Sequence, residues 1–324
     1  MTPELEIDRD GLAGRIAGLP GFETVREAAR SADAYLVGGA VRDALLGHER
    51  ADLDLVVVGD HLALARALGG ELREHDRFGT ATVTVEGRTV DVARARAESY
   101  PYPGALPEVR PAGIEADLSR RDFSVNAMAV ALSAPGELID PRGGEEDLRR
   151  GLLRVLHERS LADDPTRALR AARYAARLGL EPEAGTLDQI RAADLNAVSA
   201  DRIEAERRKL AVEPEPGRGF ELLDRWGLIP LAPAAPRLIE AIVELAQREP
   251  WRDEVRDRAP SREALGGRCG GAGAVGGGAA RRARHGRGLA RRLRRRGSPP
   301  APRDLGAGPR RRRHRARAGD RQGT

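Results

Sequence analysis

The stretch YLVGGAVRDALLGHERADLDLVVVGD, residues 35–60, decides the fold of the first part of this chain. An apolar strand ends in Gly38 and Gly39, a helix AVRDALLG follows and closes at a glycine, and the chain returns as the strand ADLDLVVVG. This second strand alternates and then becomes wholly apolar, which is typical of a buried central strand. Asp52 and Asp54 are two residues apart, so both side chains are predicted to leave the same face of a sheet.

The paired aspartates suggest a metal site. Asp52 and Asp54 can converge on shared divalent cations, and two carboxylates without a neutralising partner are costly in a core. A pair of Mg²⁺ ions can align an attacking hydroxyl with the α-phosphate of a nucleotide. The alternative is a solvated edge strand, where such alternation is common, and D-x-D alone does not decide between the two.

The glycine turn before the helix predicts a phosphate site. Without a Cβ atom at Gly38 and Gly39, backbone N–H groups can approach a phosphate, and the helix N-terminus favours an anion. Arg42, one turn into that helix, can add charge-assisted hydrogen bonds. The alternative is an ordinary strand-to-helix turn, but the turn, the arginine and the aspartates together favour triphosphate chemistry.

Composition excludes several classes of protein. The chain has 324 residues, enough to bury a core, and its single cysteine, Cys269, excludes an internal disulfide framework and a cysteine-rich zinc site. No apolar run is long enough to span a membrane. We therefore expect a cytoplasmic protein without a membrane partner, and the oligomeric state has no signal in the sequence.

The last part of the chain has a different composition from the rest. Residues 262–324 contain 19 arginines and 3 acidic residues, about +16, whereas residues 1–261 carry about −11. With almost no large apolar side chains, this segment is predicted to be disordered. It is either a basic arm that binds nucleic acid non-specifically or the product of a shifted reading frame in a GC-rich gene. We favour the second, because periodic helix-forming sequence stops near Leu265.

The remaining sequence reads as a mixed head followed by helices. Helical spacing covers residues 10–31, HLALARALGG is a short helix, and TATVTVEGRTVDVARAR is a hairpin turning at Glu86 and Gly87. The segment ESYPYPGALPEVRPAG holds four prolines and is predicted to be a mobile loop. From Pro165 to about Arg252 the pattern is helical.

These patterns predict an α+β fold with three parts. A small mixed β-sheet head precedes an all-α neck and truncated body, and a disordered Arg/Gly-rich C-terminus follows. The predicted boundaries are residues 1–155 for the head, 156–262 for the helical part and 263–324 for the tail.

The spacing of residues in DDPTRALRAARYAARLGL predicts a helix with an arginine face and an apolar face. Asp164 is the predicted N-cap, with Pro165 in the first turn. At 100° per residue, four arginines fall within about 120° and a set of apolar residues falls on the opposite side. The arginines are Arg167, Arg170, Arg173 and Arg177, and the apolar residues are Leu169, Ala172, Ala175 and Ala176. Alone, this pattern fits a solvated charged face.

Five ordered motifs resemble one known family. They are LVGGAVRDALLG…DLD, HDRFGTATV, RRDFSVNAMA, DDPTRALRAARYAARLGL and SADRIEAERRKL. Together they resemble the bacterial class II tRNA nucleotidyltransferases, the CCA-adding enzymes, and the related poly(A) polymerases, over about residues 33–230. The resemblance implies a two-ion Mg²⁺ enzyme that adds CMP and AMP from CTP and ATP to the tRNA 3′ end and releases pyrophosphate.

The resemblance also assigns residues at matching positions. Asp52 and Asp54 are implied catalytic metal ligands, and Asp91 lies where the superfamily often has a third catalytic carboxylate. The implied nucleotide-binding residues are Gly39, Arg42, Arg121, Asp164, Arg167, Arg170 and Arg173. In the implied base-reading pair, Asp164 accepts from the exocyclic amine of cytosine or adenine and Arg167 donates to the ring.

Supporting roles are predicted for residues beside these. Asp122 and Asn126 are expected to brace the site, and Arg202 and Glu206, spaced i,i+4, are expected to pair structurally. The family's C-terminal helices hold the tRNA acceptor region, and the Arg/Gly-rich sequence replaces most of them.

Other functions stay open. The same site could add only CC, only A or a poly(A) tail. Residues 95–111 look full-length, whereas CC-only relatives have a deficient loop there, which favours complete CCA addition. A non-catalytic RNA-binding protein with a degenerate head and basic arm is the alternative from another class. The presence of every implied metal and base-reading residue argues against it.

Overall fold

The computed structural model describes residues 4–48, 53–75, 79–85, 87–235, 237–239 and 241. Several predicted features lie outside these ranges. They are Asp52, Glu86 at the hairpin turn, residues 76–78 of HDRFGTATV, the helical continuation toward Arg252 and the Arg/Gly-rich tail with Cys269. The statements about them stay predictions, as do the three domain boundaries.

The sequence patterns predicted four strands, the two around the glycine turn and the two of the TATVTVEGRTVDVARAR hairpin, whereas the described residues contain eleven. They are β1 Asp33–Val37, β2 Leu53–Val58, β3 Glu71–His75, β4 Thr80–Val85, β5 Arg88–Arg94, β6 Arg96–Ser99, β7 Glu108–Pro111, β8 Ala129–Ala131, β9 Leu138–Ile139, β10 Leu152–Leu153 and β11 Glu181–Pro182. Seven of them form one sheet in the order β3-β4-β5-β2-β1-β8-β9. Strand β2 is central, antiparallel to β1 and parallel to β5, so the predicted mixed sheet is confirmed.

The helices follow the predicted plan. They are α1 Leu12–Ala17, α2 Phe22–Ala28, α3 Gly39–Leu45, α4 His61–Ala67, α5 Ile114–Ser119, α6 Gly144–Arg149, α7 Ser160–Asp163, α8 Thr166–Leu178, α9 Ala184–Ala192, α10 Ala200–Ala211 and α11 Pro216–Arg225. Helix α8 ends at Gly179, whose φ of +69° is the left-handed conformation that glycine adopts at helix ends. The α+β prediction is confirmed.

The two faces of the central strand have different neighbours. Leu53, Leu55 and Val57 belong to the main core, together with apolar residues of α1 to α4. Val56 belongs to a smaller cluster that includes Leu118 of α5. Since side chains alternate along a strand, Asp54 leaves the sheet on the face of the smaller cluster. This face is the one that carries the site described below.

The helical part packs around the apolar side of α8. Leu169, Ala172, Ala175 and Ala176 are buried, and α8 lies against α10 and α11. The predicted separation of apolar and arginine faces is therefore confirmed. A two-residue parallel pairing of β10 with β11 joins this part to the head.

The prediction of a mobile loop at the proline-rich segment is wrong in part. Strands β6 and β7 pair antiparallel, with Arg96 opposite Pro111, and so form a hairpin. Pro111 ends its strand, where a missing N–H costs no ladder hydrogen bond. The other three prolines lie in the connection between the two strands, so the predicted loop is confirmed for this connection.

Within the described ranges, no helix has the length and apolar character needed to cross a lipid bilayer.

Candidate active site

A strongly cationic cavity of about 460 Å³ lies where the head meets α8. Its lining comes from the glycine turn, β2, the β6–β7 hairpin, residues 120–126, α8 and α10. Nine arginines and four carboxylates contribute to it. The arginines are Arg42, Arg96, Arg120, Arg121, Arg167, Arg170, Arg173, Arg177 and Arg202, and the carboxylates are Asp54, Glu98, Asp122 and Asp164. Such an excess of positive charge favours an anionic ligand.

The predicted glycine turn lines this cavity. Gly38 caps α3 with φ +68°, a conformation that disfavours any residue with a Cβ atom. A Cβ at Gly38 would also lie 2.9 Å from Arg121 Nη1. Gly39 begins α3 and lines the cavity beside it. The predicted nucleotide contact is Gly39, and Gly38 is the residue whose backbone conformation requires glycine.

The carboxylates of the head lie in a row on one face of the sheet. Asp54 on β2 is directly opposite Asp91 on β5, and Asp91 is opposite Thr82 on β4. Neighbouring strands are about 4.8 Å apart, and registered residues share a face. The Thr82 hydroxyl donates to Asp91 Oδ1 at 2.7 Å. Asp54 lines the cavity, and both carboxylates line an adjoining groove.

These oxygen donors fit a hard divalent cation. Among the described residues, no three His, Cys, Asp or Glu side chains form a group that could hold a metal ion. Asp52 lies outside them. Asp54 and Asp91 therefore form the described part of the predicted site, and the metal assignment stays a prediction.

Asp164 is held through one of its two oxygens. Its Oδ1 accepts from Thr166 N at 3.0 Å, Thr166 Oγ1 at 2.6 Å and Arg202 Nη2 at 2.9 Å. Among the described residues, Oδ2 has no hydrogen-bond partner. The N-cap prediction is wrong by one residue, because Pro165 occupies that position. The Asp164 carboxylate nevertheless binds an N–H of the first turn, which is the chemistry that the N-cap prediction invoked.

Arg167 is buried and fixed beside it. Nη1 donates to Ser160 Oγ at 2.6 Å, and Nη2 donates to the carbonyl oxygen of Arg120 at 2.8 Å. Asp164 and Arg167 line the same cavity, as do Arg170, Arg173 and Arg177 of the arginine face. This face is therefore turned toward a cavity rather than toward bulk solvent.

Arg202 does not pair with Glu206, so this prediction is wrong. Its side chain reaches Asp164 and also donates to the carbonyl oxygen of Gly104, at 3.1 Å, in the β6–β7 connection. Glu206 instead contacts Arg170 at 3.7 Å and Lys209 at 2.8 Å. The spacing identified a polar helix, but the partners of Arg202 and the Arg170 contact of Glu206 come from distant segments that only the fold brings close.

Asp122 and Asn126 form the predicted brace. Asp122 Oδ2 accepts from Arg170 Nε at 2.8 Å, and Asp122 Oδ1 accepts from Asn126 Nδ2 at 3.0 Å. Asn126 in turn accepts a hydrogen bond from Arg42 Nη1. Arg121 donates to Asp117 at 3.0 Å. The network fixes arginines from both parts of the chain.

Comparison with known proteins assigns the head. Residues 34–154 match the family described as the poly A polymerase head domain. A CC-adding tRNA nucleotidyltransferase from Deinococcus radiodurans is 46% identical over 67% of this chain and 60% of the relative. The resemblance predicted from the five motifs is confirmed. An A-adding tRNA nucleotidyltransferase from Halalkalibacterium halodurans is 45% identical over 59% of this chain and 48% of the relative.

Solved structures of CCA-adding enzymes are similar to this chain in architecture. A CCA-adding enzyme without ligand is similar with a TM-score of 0.63 and 31% identity, over 80% of this chain and 63% of that one. The Thermotoga maritima CCA-adding enzyme in complex with tRNA is similar with a TM-score of 0.59 and 30% identity, over 75% and 61%. This chain thus spans about half to two thirds of the length of these relatives.

The Asp122–Arg170 pair gives a testable pH dependence. Burial alone would raise the pKa of Asp122, but Arg170 and Asn126 outweigh it and lower the pKa to about 2. The pair therefore stabilises the fold fully above about pH 4, and this contribution of about 2 kcal/mol is lost as the pH falls toward 2. In urea unfolding, the difference in unfolding free energy between the wild type and Asp122→Asn should shrink between pH 5 and pH 3. A difference that stays constant would contradict the assignment.

Proposed function

We propose that this chain is a tRNA nucleotidyltransferase that transfers CMP and AMP from CTP and ATP to a tRNA 3′ end and releases pyrophosphate. One observation carries the proposal. A single cavity is lined by Asp54, by the glycine turn, by Asp164 just before α8 and by Arg167 on α8. The similarity to a CCA-adding enzyme in complex with tRNA and to others with CTP and with ATP supports it.

The carboxylate row is the proposed metal end of the site. Asp52, Asp54 and Asp91 would hold Mg²⁺, with Thr82 orienting the Asp91 carboxylate. A bound pair of Mg²⁺ ions would lower the pKa of the attacking hydroxyl and stabilise charge on the α-phosphate. The groove that Asp91 shares with Asp54 would admit the tRNA end to this position.

The arginines next to the glycine turn are the proposed triphosphate ligands. Arg42, Arg121, Arg170 and Arg173 line the cavity together. Buried Nε atoms of Arg121 and Arg173 have no hydrogen-bond partner among the described residues. Buried cationic donors that lack partners are costly, and an anionic ligand beside them relieves that cost.

Base selection follows from the fixed orientation of Asp164 and Arg167. Cytosine and adenine both present an exocyclic amine next to a ring nitrogen acceptor, whereas uracil and guanine present a carbonyl next to a ring N–H. Asp164 Oδ2 can accept from the amine, and Arg167 can donate to the ring nitrogen. The pair therefore suits C and A and disfavours U and G.

Which nucleotides are added is tested with staged tRNA ends. Full CCA addition is the proposal, because residues 95–111 look full-length in the sequence. CC-only and A-only addition are the alternatives favoured by the two curated relatives at 46% and 45% identity. Transcripts ending before C74, before C75 and before A76, each supplied with one labelled nucleotide, should all be extended. Extension of only the first two transcripts would indicate CC-only addition, and extension of only the last transcript would indicate A-only addition.

The same assay tests the RNA-binding alternative. Without catalysis, the chain would bind tRNA with a steep salt dependence and incorporate no nucleotide on any of the three transcripts. Incorporation on any transcript excludes this alternative.

Arg202 is expected to contribute to nucleotide selection through Asp164. Arg202→Ala removes the hydrogen bond to Asp164 Oδ1 and the contact with Gly104. We therefore expect kcat/KM for CTP and for ATP to fall about tenfold, which corresponds to the loss of one hydrogen bond to a charged group. Arg208→Ala is the matched control, because Arg208 is an exposed arginine on the same helix, outside the cavity lining. Steady-state incorporation measures both variants, and equal values would contradict this role.

A further inference from the structure

Tyr174 on α8 lies at the centre of three arginines. The guanidinium carbons of Arg173, Arg170 and Arg42 are 4.8, 5.4 and 5.5 Å from its ring centroid, within the range of cation–π attraction. Its ring packs edge-on against Phe123 at 5.9 Å, which fixes the ring plane. Tyr174 is 92% buried, yet it lines the cavity.

The hydroxyl of Tyr174 contacts two of these arginines. Its oxygen accepts from Arg170 Nη2 at 2.9 Å and from Arg173 Nη2 at 3.4 Å. A phenol oxygen has acceptor capacity for both. One side chain thus fixes the direction of two guanidinium groups through its oxygen, and it draws all three toward its ring.

Each arginine also has a carboxylate partner of its own. These pairs are Arg42 with Asp43 at 2.7 Å, Arg170 with Asp122 at 2.7 Å and Arg173 with Glu213 at 3.3 Å. Three cations around one small volume repel one another, and the carboxylates offset this repulsion. The carboxylates belong to three different segments, whereas Tyr174 is the group that all three arginines share.

We propose that Tyr174 is the positioning residue for the triphosphate of the incoming nucleotide, acting through Arg42, Arg170 and Arg173. The inference rests on the proposed function, because it assumes that these arginines bind the triphosphate. The triphosphate is common to CTP and ATP, so Tyr174 influences both nucleotides equally. Base reading belongs to a separate pair of residues, Asp164 and Arg167.

The test is Tyr174→Phe, which keeps the ring and removes the acceptor. KM for CTP and for ATP should rise by the same factor, about tenfold, while kcat changes less than about twofold. Calorimetry should show inorganic tripolyphosphate binding about tenfold more weakly, with cytidine binding unchanged. If Tyr174 had a role only in folding, Tyr174→Phe would lower the melting temperature, and the affinities for tripolyphosphate and for cytidine would change by the same factor.

A control and a second variant complete the design. Tyr35→Phe removes a hydroxyl outside the cavity lining, and it should bind tripolyphosphate as the wild type does. Tyr174→Leu also removes the ring and should weaken tripolyphosphate binding further. If Tyr174→Phe matches the wild type in tripolyphosphate affinity and in KM, the inference is overturned. A wild-type chain that incorporates no nucleotide, with tripolyphosphate binding still sensitive to Tyr174→Phe, would overturn the proposed function alone.

Discussion

Asp54→Asn is expected to lower nucleotide incorporation at least about a thousandfold while the chain stays folded. The substitution keeps the shape of the side chain and removes its charge at the centre of the sheet, directly opposite Asp91. An amide is a poor ligand for Mg²⁺ compared with a carboxylate. Incorporation into tRNA lacking its 3′ end measures the loss, and thermal unfolding followed by circular dichroism checks the fold.

The metal assignment needs a readout other than activity. Mn²⁺ titration in the presence of a non-hydrolysable CTP analogue, followed by electron paramagnetic resonance, should show weaker Mn²⁺ binding in Asp54→Asn. Asp188→Asn is the control, because Asp188 is exposed on α9 and does not line the cavity. Normal incorporation by Asp54→Asn would refute the role of the carboxylate row.

Asp164→Asn is expected to weaken selection of the base. Oδ1 accepts three hydrogen bonds, so the amide oxygen should take its place and the amide nitrogen should take the place of Oδ2. The position that would accept from the amine of cytosine or adenine then carries a donor. We expect kcat/KM for CTP and ATP to fall about 100-fold, since a buried donor is placed against a donor.

The same variant should change the ranking of nucleotides. An amide donor can meet the O4 carbonyl of uracil, so the preference for CTP over UTP should narrow. This preference is measured by single-nucleotide incorporation with each of the four triphosphates. Asp163→Asn makes the same chemical change one residue earlier, outside the cavity lining, and should keep the wild-type ranking. A uniform loss for all four nucleotides would assign Asp164 to structure instead of base reading.

Local patterns predicted the helical part and four strands of the main sheet. The alternation in ADLDLVVVG and the hairpin signal at Gly87 depend on neighbours within a few residues, and both were confirmed. The proline-rich hairpin was missed, because proline at the end of a strand and proline in a turn look alike in sequence. Its pairing is a contact between residues that are up to 15 positions apart.

The site was predicted in part for the same reason. Motif matching gave the implied ligands, and the spacing of α8 gave an arginine face, but its partners could not be read from the sequence. Arg202 was assigned to Glu206, four residues away, whereas it reaches Asp164, 38 residues away. The sequence placed Tyr174 on a helix but did not indicate its neighbours. Only the tertiary packing places it among three arginines.

By itself, the sequence determined the central strand with Asp54, the glycine turn, and the two faces of α8, because strand and helix periodicity are local properties of the chain. The tertiary structure decided which side chains share one cavity. It set Asp91 opposite Asp54, left one oxygen of Asp164 available to a base, and surrounded Tyr174 with cations. The physical reason is that hydrogen bonds and charge interactions act over a few ångströms in space, whatever the separation of their residues along the chain.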